Sequence, residues 1–567
     1  MDPSEAAMPH EYAPRTAEGA SDAGAAAETG GLDARAPAEP RLPRWLAVAL
    51  GAVILAGVVL RVAAPGTTVF CDDQARACAL AQDIASGRWE TAGLVNSGQF
   101  RNLPGYAYIL AGIWRLWPDP MALLAFTMGA NLAALAGAAY LARRWFGSAA
   151  AWWATAFFAA APWAIHYCRW IFAQHLLFPA ALLVYVSAWQ WLGRGRRWAA
   201  LGFMLALGLL IQIHLAGIVL LLALGLLAVI HRPGFLLGRR LPFVPLGIGA
   251  VLVVASVAPW FAGGHYRAPQ EQRFGYHHAW RVAPAAAMSV TGLGWSLEFR
   301  GGYPGFMRQL GARRGVYTDA MAVPPVLLGG AFAAAVVALR RDGQRGAAPG
   351  AERGGKRRAG NPGETERRPL TPLGLVVGLV VLIPLAFVLL GVRTSPTYLP
   401  IWYPLPFLLM GWAAARLTRA PRGPCVITVV VLLGVPALEL AFFTEQLGYI
   451  RRHGGVPDSL LDRSYAGLLA DRARLTNEVA ADEVWVTYAG NSEIMNEATA
   501  YIFRRGAWRA GGGDGGRVLI HYEPWVGGTS VERLDPAAQL PATAWLVYPW
   551  HGPQQRGGRV LRAPPSY

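Results

Sequence analysis

Apolar and polar positions fall in long blocks along this chain, not at the short periods of a soluble fold. Eleven apolar runs of 15 to 23 residues, most of them near the roughly 20 that cross a bilayer, lie between polar connections. They are Trp45–Ala64, Met121–Ala142, Ala149–His166, Trp170–Leu192, Trp198–Gln212, Leu215–Ile230, Pro242–Ala262, Val323–Leu339, Leu373–Val392, Leu399–Ala415 and Cys425–Phe443. The pattern predicts a polytopic α-helical membrane protein with about 11 transmembrane helices. After Phe443 the blocks give way to ordinary soluble patterning. A helix is predicted over Asp462–Ala480, a strand over Val484–Tyr488, a helix over Asn496–Arg505, and strands over Val518–Tyr522 and Ala544–Tyr548. Residues 444–567 therefore read as a small extracytoplasmic α/β domain, carrying neither a phosphate loop nor metal-ligand spacing.

Charge orients the runs. Arg41 and Arg44 hold the start of the first run in the cytoplasm, so the chain emerges outside near Pro65. Leu103–Trp117 is apolar but only about fifteen residues long, too short to span, and its Tyr106, Tyr108, Trp114 and Trp117 suit an interfacial helix. With that segment kept outside, Arg143-Arg144, Arg194 to Arg197, Arg232 to Arg240 and Arg416 to Arg422 all fall on the cytoplasmic side. Were it to cross, every later basic cluster would face outward. The same reading sets a first outer loop at 65–120, a long outer loop at 263–321 and a flexible basic cytoplasmic linker at 340–371. The long outer loop breaks the charge rule, with Arg267, Arg273, Arg281, Arg300, Arg308, Arg313 and Arg314 against three acids, as a loop meeting an anionic partner would.

Composition sharpens this picture. The chain is 54% hydrophobic and 15% charged, and its net charge of +17 lies mostly in short loops, which reads as membrane orientation and excludes a nucleic-acid partner as the explanation. Lys356 is the only lysine, so the abundance of arginine reflects composition and does not mark each one as a phosphate fork. Residues 1–43, rich in Ala, Gly, Pro and Glu, read as a disordered cytoplasmic tail, with no cleavable signal ahead of Arg44. The transmembrane body is 44–443. Cys71, Cys78, Cys168 and Cys425 have no zinc spacing, though Cys71 and Cys78 could pair in an oxidising compartment.

Four polar groups fall at the outer face in this topology. Asp72-Asp73 stands just past the first run, where one carboxylate could act as general base or metal ligand while the other orients the loop; capping of a helix over Gln74–Ser86 is the structural alternative. His166-Tyr167-Cys168-Arg169, with Gln174 and His175 beyond, offers Arg169 to an anionic headgroup or phosphate, or else as an interfacial anchor. Gln212 and His214 sit at the apex of an apolar hairpin, polar enough to line a cavity. Arg393, Tyr398 and Tyr403 lie in a Pro-rich approach to the tenth run, able to hold a lipid-linked phosphate or to serve as an aromatic belt.

Together these residues resemble the C-type superfamily of integral-membrane glycosyltransferases, in the branch of protein O-mannosyltransferases and the bacterial aminoarabinose transferase. Asp72-Asp73 resembles the family's acidic pair, and Leu103-Pro104-Gly105-Tyr106-Ala107-Tyr108 its interfacial helix. Tyr167-Cys168-Arg169 and the stretch from Arg393 to Pro404 resemble its Tyr-Ser-Arg and Arg-x-Tyr-Leu-x-Pro-x-Tyr-Pro signatures. The resemblance, over roughly Arg44–Phe443, implies an inverting transfer of a sugar from a polyprenyl-phosphate donor to an extracytoplasmic acceptor, whether protein, lipid or glycan. By match, Asp72 or Asp73 would be the base, with Asp72 preferred from its match to the family pair, and Arg169 or Arg393 would meet the donor phosphate. His166, Gln174, Gln212, His214, Tyr398 and Tyr403 complete the expected substrate site. No cofactor is specified, and a divalent metal is compatible with the pair. Two departures stand out. Gln174 replaces an acid found in many relatives, and Gln212 with His214 replaces a Thr-Lys pair. A solute or lipid transporter, or a non-catalytic scaffold, is the competing reading; a transporter would carry charges deep in its spans and broken midplane helices, neither of which this reading finds in the runs.

Overall fold

The computed structural model describes residues 42–68, 70–95, 101–231, 242–265, 282–290, 303–345, 370–390, 396–418, 424–454, 464–488, 496–505, 508, 516–522, 529–535 and 545–548. The predicted tail up to Arg41, most of the basic linker, and Arg393 lie outside the described residues.

The membrane body opens with α1 (Arg44–Val62), followed by a 3-10 turn at Pro65–Thr67 and the two helices of the first outer loop, α2 (Asp72–Ala85) and α3 (Gly105–Leu116). Then come α4 (Pro120–Phe146), α5 (Ser148–Ala160), α6 (Pro162–Cys168), a 3-10 turn at Ala173–Leu176, α7 (Leu177–Ala188), α8 (Ala199–Ile213), α9 (Gly217–His231) and α10 (Phe243–Ala262). Short helices α11 (Val282–Ser289) and α12 (Tyr303–Leu310) precede α13 (Arg313–Arg345), α14 (Pro372–Leu389), a 3-10 turn at Pro396–Ile401, α15 (Pro404–Leu417) and α16 (Pro424–His453). Each predicted run contains helix among the described residues. Among those residues seven helices are long and apolar enough to cross a membrane: α1, α4, the stretch Ala173–Gly193 containing α7, α10, α13, α14 and α16. The broken pair α5–α6 and the 14- to 15-residue α8, α9 and α15 are shorter. The described helices thus support a multi-pass membrane body with seven full-length spanning helices, and the expected count of eleven is not shown.

Local chemistry explains the boundaries. Asp119 accepts from the Met121 N–H at 2.7 Å with Pro120 in the first turn, starting α4; Arg143 and Arg144 sit in its last turn and Gly147, at φ 93°, ends it. The predicted run Ala149–His166 divides because Pro162 lacks the N–H needed to continue α5, so Pro162 instead begins α6. In the middle of the bundle, α5 packs on α15, α4 and α1. Gly411 of α15 lies so close to α5 that a Cβ would stand 2.5 Å from the Ala154 Cβ, and Phe158 stacks on Phe407 at 5.3 Å. In contrast, α10 and α13 bury only 17% of their spanning windows in the protein, as helices on a lipid-facing rim do.

Two expected boundaries move. α13 starts at Arg313, ten residues before the predicted run, so the end of the expected long outer loop is helical; there Arg313 and Tyr317 both reach Glu445 of α16, at 2.6 and 2.7 Å. α16 passes through the expected boundary at 443/444 without a break and ends at His453. Beyond it come α17 (Tyr465–Glu478), β1 (Glu483–Tyr488), α18 (Asn496–Arg504), β2 (Arg517–Tyr522), β3 (Ser530–Leu534) and β4 (Trp545–Tyr548). The sheet order is β3-β2-β1-β4, with β1 and β2 parallel and both outer strands antiparallel. β3 was not expected. Its Ser-Val-Glu-Arg-Leu sequence carries two charges, as an edge strand with one neighbour can.

Candidate functional site at one end of the bundle

The acidic pair occupies the first turn of α2. Cys71, not an aspartate, is the N-cap: its N–H and thiol both meet the Gln74 side-chain oxygen at 2.9 Å, so the expected capping role and the expected helix start at Gln74 are corrected. Both carboxylates instead face the positive end of the helix dipole. They are not equivalent. Asp72 is 7% exposed, and its Oδ1 accepts from the Ala498 N–H at 3.0 Å, in the first turn of α18. Asp73 is half-buried. Its charge acts on the buried Cys71 thiol, whose pKa rises through burial first and Asp73 next, and on Tyr106 of α3, where burial and then Cys78 and Asp73 raise the phenol. The Tyr106 hydroxyl is buried and accepts or donates no hydrogen bond. Cys71 and Cys78 are free thiols seven positions apart on one helix, roughly 10 Å along its axis, beyond the reach of a disulfide.

Arg169 is held inside the protein. At 2% exposure, its Nη1 donates to the carbonyls of Leu60 (3.0 Å) and Ala63, and its Nη2 to the Ala64 carbonyl (2.8 Å) and Thr67 Oγ1 (2.7 Å). Both of its terminal nitrogens thus cap the end of α1. Neither an exposed phosphate fork nor a snorkelling anchor matches this geometry. Arg61, absent from the expected set, does similar work: its guanidinium bonds Gly57, Phe158 and Ala159 carbonyls and ties α1 to α5.

Around this end the remaining candidates form a connected belt. His166 is buried against Trp170, with ring centres 4.2 Å apart. Gln174 and His175 are buried in the 3-10 turn that meets the Pro396–Ile401 turn, and the Gln174 Oε1 and His175 Nε2 carry no hydrogen bond. Tyr398 of the latter turn lies 5.7 Å, ring to ring, from His214. His214 accepts from the Ala216 N–H at 3.0 Å through Nδ1, which leaves its buried Nε2 without a partner. Gln212 donates to the Ser256 carbonyl (2.9 Å) and hydroxyl (3.1 Å), joining α8 to α10. Its other side supports α3: a Cβ on Gly105 would fall 2.7 Å from the Gln212 Cβ. Tyr403 does not join the belt. It is fully buried among Phe158, Phe178 and Phe407, a packing residue within electrostatic reach of Arg61 and Glu439.

The C-terminal region from α17 onward closes over α2. Phe70 packs between Tyr465 and Tyr501 (5.2 and 5.9 Å), the Tyr465 N–H donates to the Thr68 carbonyl at 3.0 Å, and Arg505 donates to the Pro118 carbonyl at 3.2 Å. Among the described residues no group of three or more His, Cys, Asp or Glu side chains gathers as a metal site. Sequence reading missed Ala498, Arg61 and Glu439. Glu439, 3% exposed in α16, and Arg61 in α1 correct the expectation that no charge lies within the spans; each was visible as a lone charge in an apolar run.

No family model and no curated protein sequence matches the chain. Solved structures do. ArnT from Cupriavidus metallidurans bound to undecaprenyl phosphate is similar with a TM-score of 0.45 and 14% identity, over 84% of this chain and 93% of that one. The apo oligosaccharyltransferase of Archaeoglobus fulgidus gives 0.39 and 12%, over 77% and 58%, and AglB from the same organism, with an inhibitory peptide and a dolichol-phosphate, gives 0.35 and 12%, over 81% and 64%. At these identities and scores, the functional reading rests on the residues.

Proposed function

We propose that this chain is a multi-pass membrane glycosyltransferase that moves a sugar from a polyprenyl-phosphate donor to an extracytoplasmic acceptor, with inversion at the anomeric carbon. The observation that carries the reading is the acidic pair at the start of α2, one carboxylate anchored to Ala498 and the other half-buried beside Tyr106. A carboxylate in that setting can accept the proton of an attacking hydroxyl. Asp73 takes the base role here, in place of the Asp72 preferred from the motif match, because it is the more accessible carboxylate of the two; Asp72, 7% exposed and holding the Ala498 N–H, is the positioning member of the pair. His214, Tyr398 and Gln174 form the wall toward the donor, and Arg393 is the candidate phosphate ligand. The N-terminus is cytoplasmic and the domain from α17 onward extracytoplasmic, from the arginine distribution.

The transporter reading draws on Arg61 and Glu439, charges buried within helices of the bundle. Arg61, however, caps carbonyls where α1 meets α5, as a structural tie does. Binding of undecaprenyl phosphate, the lipid present in the Cupriavidus structure, to the purified protein in nanodiscs separates the readings. Saturable binding that a Tyr398→Ala, His214→Ala double variant weakens supports the enzyme; no binding, with solute flux instead, supports the transporter.

A further inference from the structure

Among the described residues, Ala64 is the one non-glycine residue with positive φ, at φ 45° and ψ 60°. This left-handed conformation is disfavoured for an L side chain and persists where its surroundings over-determine it. It lies between the last turn of α1 and the 3-10 turn Pro65–Thr67, so it sets the direction in which the chain leaves the bundle toward Asp72 and Asp73. The residue that over-determines it comes from about a hundred positions away. Arg169 donates to the carbonyl of Ala64 itself, to those of Leu60 and Ala63 before it, and to Thr67 Oγ1 after it. The Thr67 hydroxyl in turn donates to the Ala64 carbonyl at 2.8 Å, and the Thr68 hydroxyl donates to the Arg169 carbonyl.

We infer that Arg169 is the positioning residue of the aspartate loop: it holds Ala64 left-handed, thereby fixes where Asp72 and Asp73 stand, and does not bind the donor phosphate. The loop is then clamped at two points. Arg169 grips its start, and Tyr465 and Ala498 of the soluble region hold Thr68 and Asp72 from the other side. A guanidinium suits the first grip because its planar fork presents several donors at once to carbonyls that diverge at a helix end; an ammonium presents three from a single point. The grip lies inside the protein, with Arg169 2% exposed. The word "aspartate" carries catalytic meaning only under the glycosyltransferase reading above, on which the inference to that extent rests.

The test combines loop protection with donor binding. In full-length protein in nanodiscs, Arg169→Gln should speed amide exchange at Thr67 and Thr68, whose N–H groups bond Ala64 and Pro65 carbonyls, by about tenfold or more, the signature of a loosened segment. The Kd for undecaprenyl phosphate should stay within about twofold, a difference too small for the loss of a charge-assisted contact. Adding Ala64→Gly to Arg169→Gln should recover about fivefold of the lost protection, because glycine adopts the left-handed conformation without assistance. Arg169→Lys should fall between wild type and Arg169→Gln, and carries the comparison if the glutamine variant does not fold. A tenfold loss of donor affinity with exchange at Thr67 and Thr68 unchanged would overturn the inference, as would failure of Ala64→Gly to recover protection. If wild type binds no undecaprenyl phosphate, the glycosyltransferase reading fails by itself, and the exchange comparison still decides the role of Arg169.

Discussion

Replacing Asp72 by alanine should release the C-terminal region from the start of α2 at one defined point. The Ala498 N–H lies in the first turn of α18, where helix geometry supplies no internal partner, and Ala498 is wholly buried. With Asp72 Oδ1 gone, that donor is left unsatisfied, at a cost of about 1–3 kcal/mol. Loss of a charge from the positive end of the helix adds about 0.3–1 kcal/mol. Taking about 2.6 kcal/mol as the centre of the sum, local opening that exposes the Ala498 amide becomes roughly 80-fold more frequent. Hydrogen exchange by mass spectrometry over 496–505 reads this directly. Asp72→Asn keeps an acceptor oxygen in the same place and should change exchange by no more than about threefold. Equal acceleration by the alanine and asparagine variants, or no acceleration by either, would refute the assignment of Asp72 as the anchor of α18.

Gly57→Ala should drive α1 from α5, since its Cβ would stand 2.3 Å from the Ala159 carbonyl oxygen; a loss of about 1–3 kcal/mol should appear as a lower thermal midpoint in detergent, and an unchanged midpoint would contradict the packing. Tyr465 should ionise near pH 12, because burial raises its pKa to about 12 from an ordinary 10.0. Its neutral form is the one favoured in the fold, so docking of α17 on Phe70 is fully retained below pH 10 and lost as pH rises through the folded value; ultraviolet titration of wild type against Tyr465→Phe checks the midpoint. Cys71 and Cys78, buried and with pKa values raised above the ordinary thiol range, should resist maleimide at neutral pH in folded protein and react on denaturation, as thiolate chemistry requires.

Much of this architecture is legible in hydrophobic blocks, because a bilayer demands long apolar helices whatever the tertiary partners. The predicted run at Met121–Ala142 and its Arg143-Arg144 terminus reappear in α4 almost unchanged. Within the C-terminal sheet, β1 and β2 are apolar enough to declare themselves, whereas β3 is held by backbone pairing to β2 and interrupts its apolar positions with Glu532 and Arg533. The candidate site divides in the same way. That Asp72-Asp73 stands close after the first span could be read from two charges beside an apolar run. What Arg169 does could not, since its role depends on a backbone conformation at Ala64 that no residue type announces. Similarly, the Asp72 partner is a backbone N–H some 426 positions away, invisible to any motif. Tyr403 illustrates the converse, since its place in an aromatic signature suggested a ligand, yet the aromatic neighbours of α5 and α15 absorb it into the core.

The central claim is that the acidic pair serves sugar transfer from a lipid phosphate. Purified protein in nanodiscs, given a radiolabelled polyprenyl-phosphate sugar and a panel of peptide, lipid and glycan acceptors, tests it most directly. The account predicts transfer of label by wild type, a fall of about 10²–10⁴-fold in Asp73→Asn as expected for loss of a general base, and a smaller fall in Asp72→Asn. Undiminished transfer in both variants, or no transfer to any acceptor from a donor that binds, would contradict it.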